Sequence, residues 1–244
     1  MDATRITEDE SYGTWKFCAW NGMLFMSVFI VFWGLMGHNV PPFSGALGAE
    51  AVADYFRENR NFVRLGMVVS MTFTISYAVW GISLGRVMNH VLGRDHILTE
   101  LQVWGAGLTV VPVLVSSSFW LAGAYRPDEL SPEAVRTFYD MAWLLIDLAY
   151  SVTSVQMIAL GAGMLRDRRA ERLFPKWVCW YSIWVGFMFV AECLMPFFKE
   201  GAFSRSGILN FWIEFTIFFL FAPIITFYQI KAINRIQREA KGNG

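Results

Sequence analysis

Asp147, Glu192 and Glu214 each sit inside an otherwise uncharged run of membrane length, and no Lys or Arg lies near the middle of those runs. An ionisable group in hydrocarbon is costly, so one that is kept lines a pathway, a ligand pocket or a helix contact. A protonated carboxylic acid in apolar surroundings can donate a proton to an alkene, epoxide or carbonyl, or a hydrogen bond to a hydroxyl. The same group can take up and release protons during transport, or meet an organic cation among aromatic faces.

These residues need a lipid frame, and the composition supplies one. Of 244 residues 55% are hydrophobic and only 16% charged, outside the balance of a soluble globular domain. A helix crossing ~30 Å of hydrocarbon needs roughly 20 mostly apolar residues. Six stretches qualify, at 15–37, 62–86, 98–124, 138–165, 177–198 and 207–230. The expected fold is an all-α polytopic bundle of six transmembrane helices. It forms one domain, 15–230, between an N-terminal segment, 1–14, and a basic tail, 231–244. Trp15, Trp33, Trp104, Trp120, Tyr125, Trp177, Trp180 and Tyr228 stand near span ends, as expected of rings at headgroup level. The N-terminus carries acids and has no basic region or small-residue cleavage site, so the first helix is expected to stay in the mature chain.

Lys and Arg placement sets the orientation. Arg86, Arg94, Arg166, Arg168, Arg169, Arg172, Lys176, Lys231, Arg235, Arg238 and Lys241 fall on one side. Arg57, Arg60, Arg64, Arg126, Arg136, Lys199 and Arg205 fall on the other. The bias predicts both termini in the cytoplasm and the chain in the inner (plasma) membrane. Two outer connections are long enough for helices. Between Ser44 and Asn59, Leu47, Ala51, Val52, Tyr55 and Phe56 oppose Glu50, Asp54, Arg57 and Glu58, the pattern of an amphipathic interfacial helix. Ser131-Pro132-Glu133 reads as a second start, with Ser as N-cap and Pro at the first helical position.

Helical rise converts position into depth. Asp147 lies about 13 Å below the outer boundary, Glu192 about 9 Å and Glu214 about 10 Å, so all three share the outer half. Arg136, Asp140, Trp143, Asp147, Tyr150, Ser151 and Ser154 follow the spacing of one helical face. Asn210 is one turn from Glu214, Ser116-Ser117-Ser118 sits in the outer half of span 3, and Arg64 stands at the outer mouth of span 2. Trp143, Tyr150, Asn210, Trp120, Ser117 and Arg64 are therefore the candidate ligand-binding residues around three candidate catalytic acids.

Plainer readings compete. A single intramembrane acid often joins two helices through Ser, Thr or Tyr, and Arg64 reads equally as an interfacial snorkeller. His38, His90 and His96 fall at span ends or loops, and no Glu-x-x-His or similar ligand spacing appears, so no metal or other cofactor is expected. Cys18, Cys179 and Cys193 show no CxxC spacing and read as small core residues. Gly105 with Gly107, Gly161 with Gly163 and Gly81 with Gly85 suit close helix approach. Pro112, Pro196 and Pro223 can kink their spans. Net charge is zero and the cations are scattered, which excludes nucleic acid as a partner.

Thr137-Phe138-Tyr139-Asp140-Met141-Ala142-Trp143 entering span 4, and the basic turn Arg166 to Lys176 with Phe174-Pro175-Lys176-Trp177 opening span 5, resemble a bacterial six-helix integral-membrane family of unassigned function. The resemblance covers about residues 15–230 and implies the fold. It implies no activity and no functional residue.

Three functions follow from the residues. The favoured one is an acidic, aromatic-lined pocket that binds a lipophilic small molecule, with or without acid–base chemistry of an isomerase, hydratase or cyclase type. A second is a non-catalytic subunit that docks membrane protein partners or a second copy of itself. The third is proton-linked transport of a small solute, disfavoured by the absence of an internal repeat and of a polar track through the inner half. Membrane lipid is an expected partner in all three.

Overall fold

A computed structural model describes residues 3–242, with side chains from Ser11 onward. The outermost residues of the expected terminal segments, 1–2 and 243–244, lie outside the described residues. All regular secondary structure among the described residues is helical, and six helical stretches are long and apolar enough to cross a membrane: Ser11–Met36, Ala49–Leu92, Ile97–Tyr125, Pro132–Met164, Lys176–Phe197 and Ile208–Gly242.

Span 1 is α1 (Ala3–Val28) continued by a π-helical stretch, Phe29–Met36. Span 2 joins α2 (Ala49–Phe73) to α3 (Ile75–Leu92). Span 3 is α4 (Ile97–Tyr125), and span 4 is α5 (Pro132–Leu148) followed by α6 (Tyr150–Met164). Span 5 is α7 (Lys176–Met188) with a 3-10 extension, Phe189–Phe197. Span 6 opens on π-helical Ile208–Ile213 and continues as α8 (Glu214–Gly242). Each span packs on the next, and α8 closes the ring on α1. Spans 4, 5 and 6 are thus neighbours in space as in sequence.

Local signals account for several boundaries. The Ser131 side chain accepts a hydrogen bond from the Ala134 N–H at 3.2 Å ahead of Pro132, a capped helix start. His96 Nδ1 accepts from the Leu98 N–H at 3.1 Å and caps α4. Close approach between spans needs glycine at Gly105, where a Cβ would meet the Gln156 Cβ and the Val152 carbonyl at 2.8 Å, and at Gly161, where it would strike the Cys179 carbonyl. Gly107, expected to share that role, faces open space.

Two expectations change here. The amphipathic helix expected before span 2 is present, set off from the rest of α2 by a kink, but its apolar side faces protein. It runs into α2 through a bend at Asn59 (φ −109°, ψ 16°) and buries Val52, Ala53 and Phe56 against protein, while Ala51 points outward. Phe56 packs edge-on against Tyr139, and Arg60 pairs with Asp128 at 2.7 Å, joining the two long connections opposite the termini into one lid. Burial against the bundle satisfies the apolar face that would otherwise seek lipid. Second, Trp33 and Trp120 are core residues and not interfacial rings, both 0% exposed, whereas Trp104, Tyr125, Trp177 and Trp180 face outward.

Candidate functional site

All three intramembrane acids are buried within the protein: Asp147 is 2% exposed, Glu192 3% and Glu214 0%. They reach one region from spans 4, 5 and 6. Asp147, Glu192 and Glu214 are close enough to act on one another electrostatically, and neither Glu214 carboxyl oxygen has a hydrogen-bond partner among the described residues. Asn210 Nδ2 donates to Asp147 Oδ2 at 3.4 Å. Among the described residues, no group of three His, Cys, Asp or Glu side chains is arranged to hold a metal ion.

Each acid stands where its helix is not regular. Span 4 breaks at Ala149 (φ −85°, ψ 11°), two residues after Asp147. Glu192 lies within the 3-10 segment, and Glu214 follows the π-helical opening of span 6. Irregular backbone in a membrane is tolerated where it is buried in protein or faces a cavity, and such turns gather at functional sites. The break at Ala149 also resets the helical face. Ser151, expected beside Tyr150, turns outward, and Thr153 turns inward and shares a 2.9 Å hydrogen bond with Thr109.

A small cavity of about 60 Å³ adjoins the acids, walled by Phe25, Phe29, Phe189, Phe215 and Phe218, with Asp147, Glu192 and Tyr150 on its lining. Pro112 and Ala149 belong to this wall and also to a shallow outward-facing groove of about 270 Å³ that runs along Leu108, Val111, Val115 and Leu145. The two spaces therefore share a thin partition, made where one helix lacks an N–H and its neighbour is broken.

The candidate ligand residues divide into three groups. Tyr150 lines the cavity and Asn210 bonds an acid. Trp143 and Trp120 stand behind Phe215, where they meet Trp33 edge-on with ring centroids 5.6 and 5.7 Å away. The indole N–H groups of all three tryptophans and the Ser117 hydroxyl are buried with no partner among the described residues. Arg64 lies apart: its guanidinium donates to the carbonyls of Ala124 and Tyr125 and so closes the end of α4.

Arg205, read from the sequence as one more loop cation, is the residue that reading missed. Its side chain is 7% exposed and folds inward. It donates to Asp140 Oδ1 at 2.7 Å, to the Phe43 carbonyl at 3.0 Å and to the Ser44 carbonyl at 3.3 Å, and lies 4.8 Å over the Tyr139 ring. The Tyr139 hydroxyl in turn accepts from the Phe43 N–H at 3.1 Å. A positive charge thus sits on the lid side of Asp147, although Asp140 is its direct partner.

The expected absence of a polar track elsewhere also needs correction. Away from the lid, Gln102, Gln156, Gln229, Ser83 and Thr109 are buried. Tyr77 Oη donates to Gln156 Oε1 at 2.8 Å, and Gln229 Nε2 donates to Ser83 Oγ at 2.8 Å. These groups are neutral, and single neutral polar residues in an apolar run give no sequence signal of convergence.

Fold and site together define a six-helix membrane-spanning bundle with a buried carboxyl cluster beneath a lid. Comparison with family models, with curated proteins and with solved structures returns no match.

Proposed function

We propose that the protein binds a lipophilic small molecule from the bilayer and presents its polar end to Asp147, Glu192 and Glu214. The observation that carries this reading is the acid cluster beside a cavity that shares the Pro112 and Ala149 wall with an outward-facing groove. About 60 Å³ admits a hydroxyl, amine or carbonyl with a few waters, one water needing about 10–15 Å³ of such space. A terpenoid or sterol-like body does not fit inside; its tail would lie in the groove along Leu108 to Val115. A protonated carboxyl of the cluster would be the donor to the incoming group, and acid–base conversion is the chemistry such a site would support. The bundle sits in a bacterial inner membrane with both termini cytoplasmic, which reporter fusions to each end would check.

Native mass spectrometry of gently solubilised protein tests the reading. The wild type should carry a small lipophilic adduct that Asp147→Asn, Glu192→Gln and Glu214→Gln together remove while the fold persists. An adduct retained by the triple variant overturns it. A stoichiometric partner polypeptide with no adduct moves the function to a structural subunit.

One observation favours a second reading, proton-linked solute movement. Thr109 and Thr153 on the cavity wall continue into Gln156, Tyr77 and Gln102, a line of buried neutral groups between α3, α4 and α6. Solute flux into proteoliposomes that ignores pH and survives Gln156→Leu would remove this alternative.

A further inference from the structure

On the face where span 1 begins and span 6 ends, α1 and α8 diverge around a cavity of about 740 Å³. Trp20, Met23, Pro223 and Phe227 form its apolar part, and Lys231 and Arg238 stand at its polar end. Trp20 is 57% exposed and Phe227 64%. Neither Lys231 nor Arg238 has a hydrogen-bond or ion-pair partner among the described residues, whereas their neighbour Arg235 pairs with Glu239 at 2.7 Å and with Glu171 at 3.6 Å. Lys16 Nζ, donating to Gln237 Oε1 at 2.7 Å, bridges α1 to α8 at that end.

Dimensions and charge select an occupant. From Pro223 to Arg238 the helix rises about 22 Å, which matches one leaflet of a bilayer ~40–45 Å thick with its headgroups. Arg238 lies at headgroup depth, Lys231 starts about 12 Å above Pro223 and reaches that level by its long side chain, and the aromatic wall lies at acyl-chain depth. Thr226, 1% exposed with a hydroxyl that has no partner, lines the cavity about 8 Å deeper than Lys231, at acyl-chain depth. Pro223, which cannot donate to the helix ladder, marks the deep end.

We infer that this groove is a binding site for one anionic glycerophospholipid of the adjoining leaflet, its phosphate held by Lys231 and Arg238 and an acyl chain laid along Trp20, Met23 and Phe227. The site lies apart from the carboxyl cluster and does not depend on what that cluster binds. Basic pockets between helices at the membrane face recognise anionic headgroups in this way.

Native mass spectrometry of the full chain, titrated with phosphatidylglycerol or phosphatidylcholine in detergent, tests the site. The wild type should retain phosphatidylglycerol in preference, and K231Q with R238Q should lower that preference about thirtyfold, two cations at the headgroup level being removed. R166Q with R168Q, on the same face but outside the groove, should leave it unchanged. M23W fills the apolar part with both charges kept and should weaken both lipids. Equal retention of the two lipids by the wild type, or an unchanged preference in K231Q with R238Q, overturns the inference. Displacement of the lipid by millimolar inorganic phosphate would also overturn it, because the headgroup alone would then carry the binding.

Discussion

The lid half and the terminal half of this bundle treat buried polarity in opposite ways. Beneath the lid three ionisable groups are buried, and both Glu214 carboxyl oxygens and three indole N–H groups have no partner among the described residues. Towards the termini the buried groups are mostly neutral; some cross-link helices, as in Tyr77 to Gln156, Gln229 to Ser83 and Ser182 to the Met157 carbonyl at 2.7 Å, while the Gln102 amide, the Trp80 indole N–H and the Thr226 hydroxyl also lack a partner among the described residues. Backbone regularity divides the same way. Both π stretches, the 3-10 segment and the Ala149 break lie in the lid half of their spans, whereas α3, α6 and α8 run to the terminal face as regular helices. Neutral pairs in lipid are modest glue, while unpaired buried polar atoms each lower stability and persist where function needs them. One half holds the fold, and the other holds the site.

Substitutions sharpen that division. The largest loss should come from Arg205→Met, which removes three charge-assisted bonds at the lid. We expect about 2–3 kcal/mol in reversible unfolding from micelles, below the ~3–5 kcal/mol of a fully buried pair because Asp140 is 44% exposed. Tyr77→Phe in the terminal half should lower stability by about 1 kcal/mol and leave any bound adduct in place. Glu214→Gln should shift stability by less than about 1 kcal/mol yet remove the adduct, since an amide keeps the shape and loses the proton. If Glu214→Gln costs more than Tyr77→Phe and spares the adduct, the division of labour is reversed. The smallest effect concerns His38, beyond the end of span 1. Burial lowers its pKa from the ordinary 6.5, so the folded chain holds it neutral while the unfolded chain protonates first. Its contribution is complete above pH 6.5 and declines as pH falls towards the folded value. His38→Gln should flatten the acid side of the unfolding profile in that window.

Much of this was legible because the signals are local. Hydropathy runs located six spans, Ser131-Pro132 marked a helix start, and a fixed rise per residue put Asp147, Glu192 and Glu214 at one depth. Their convergence follows because spans 4, 5 and 6 are adjacent around the ring. Arg205 was not legible, since its acceptors Asp140, Ser44 and Phe43 lie 65, 161 and 162 residues away. Ser151 and Thr153 exchanged faces through one ψ angle at Ala149, and alanine carries no warning of a break. Trp33 and Trp120 have the composition of interfacial rings, and only the packing of spans 1, 3 and 4 on one another draws them inside.

Arg205 has a further consequence, for the order in which the chain is assembled. Synthesis delivers the carbonyls of Phe43 and Ser44 early, and the guanidinium that holds them arrives only with the connection leading to the sixth span. Until then the first connection is held by its contacts to Tyr139 and Asp128, without the three bonds that Arg205 adds. The latch therefore closes near the end of insertion, and a truncation after span 5 should yield an open, protease-sensitive lid on helices that are already in place.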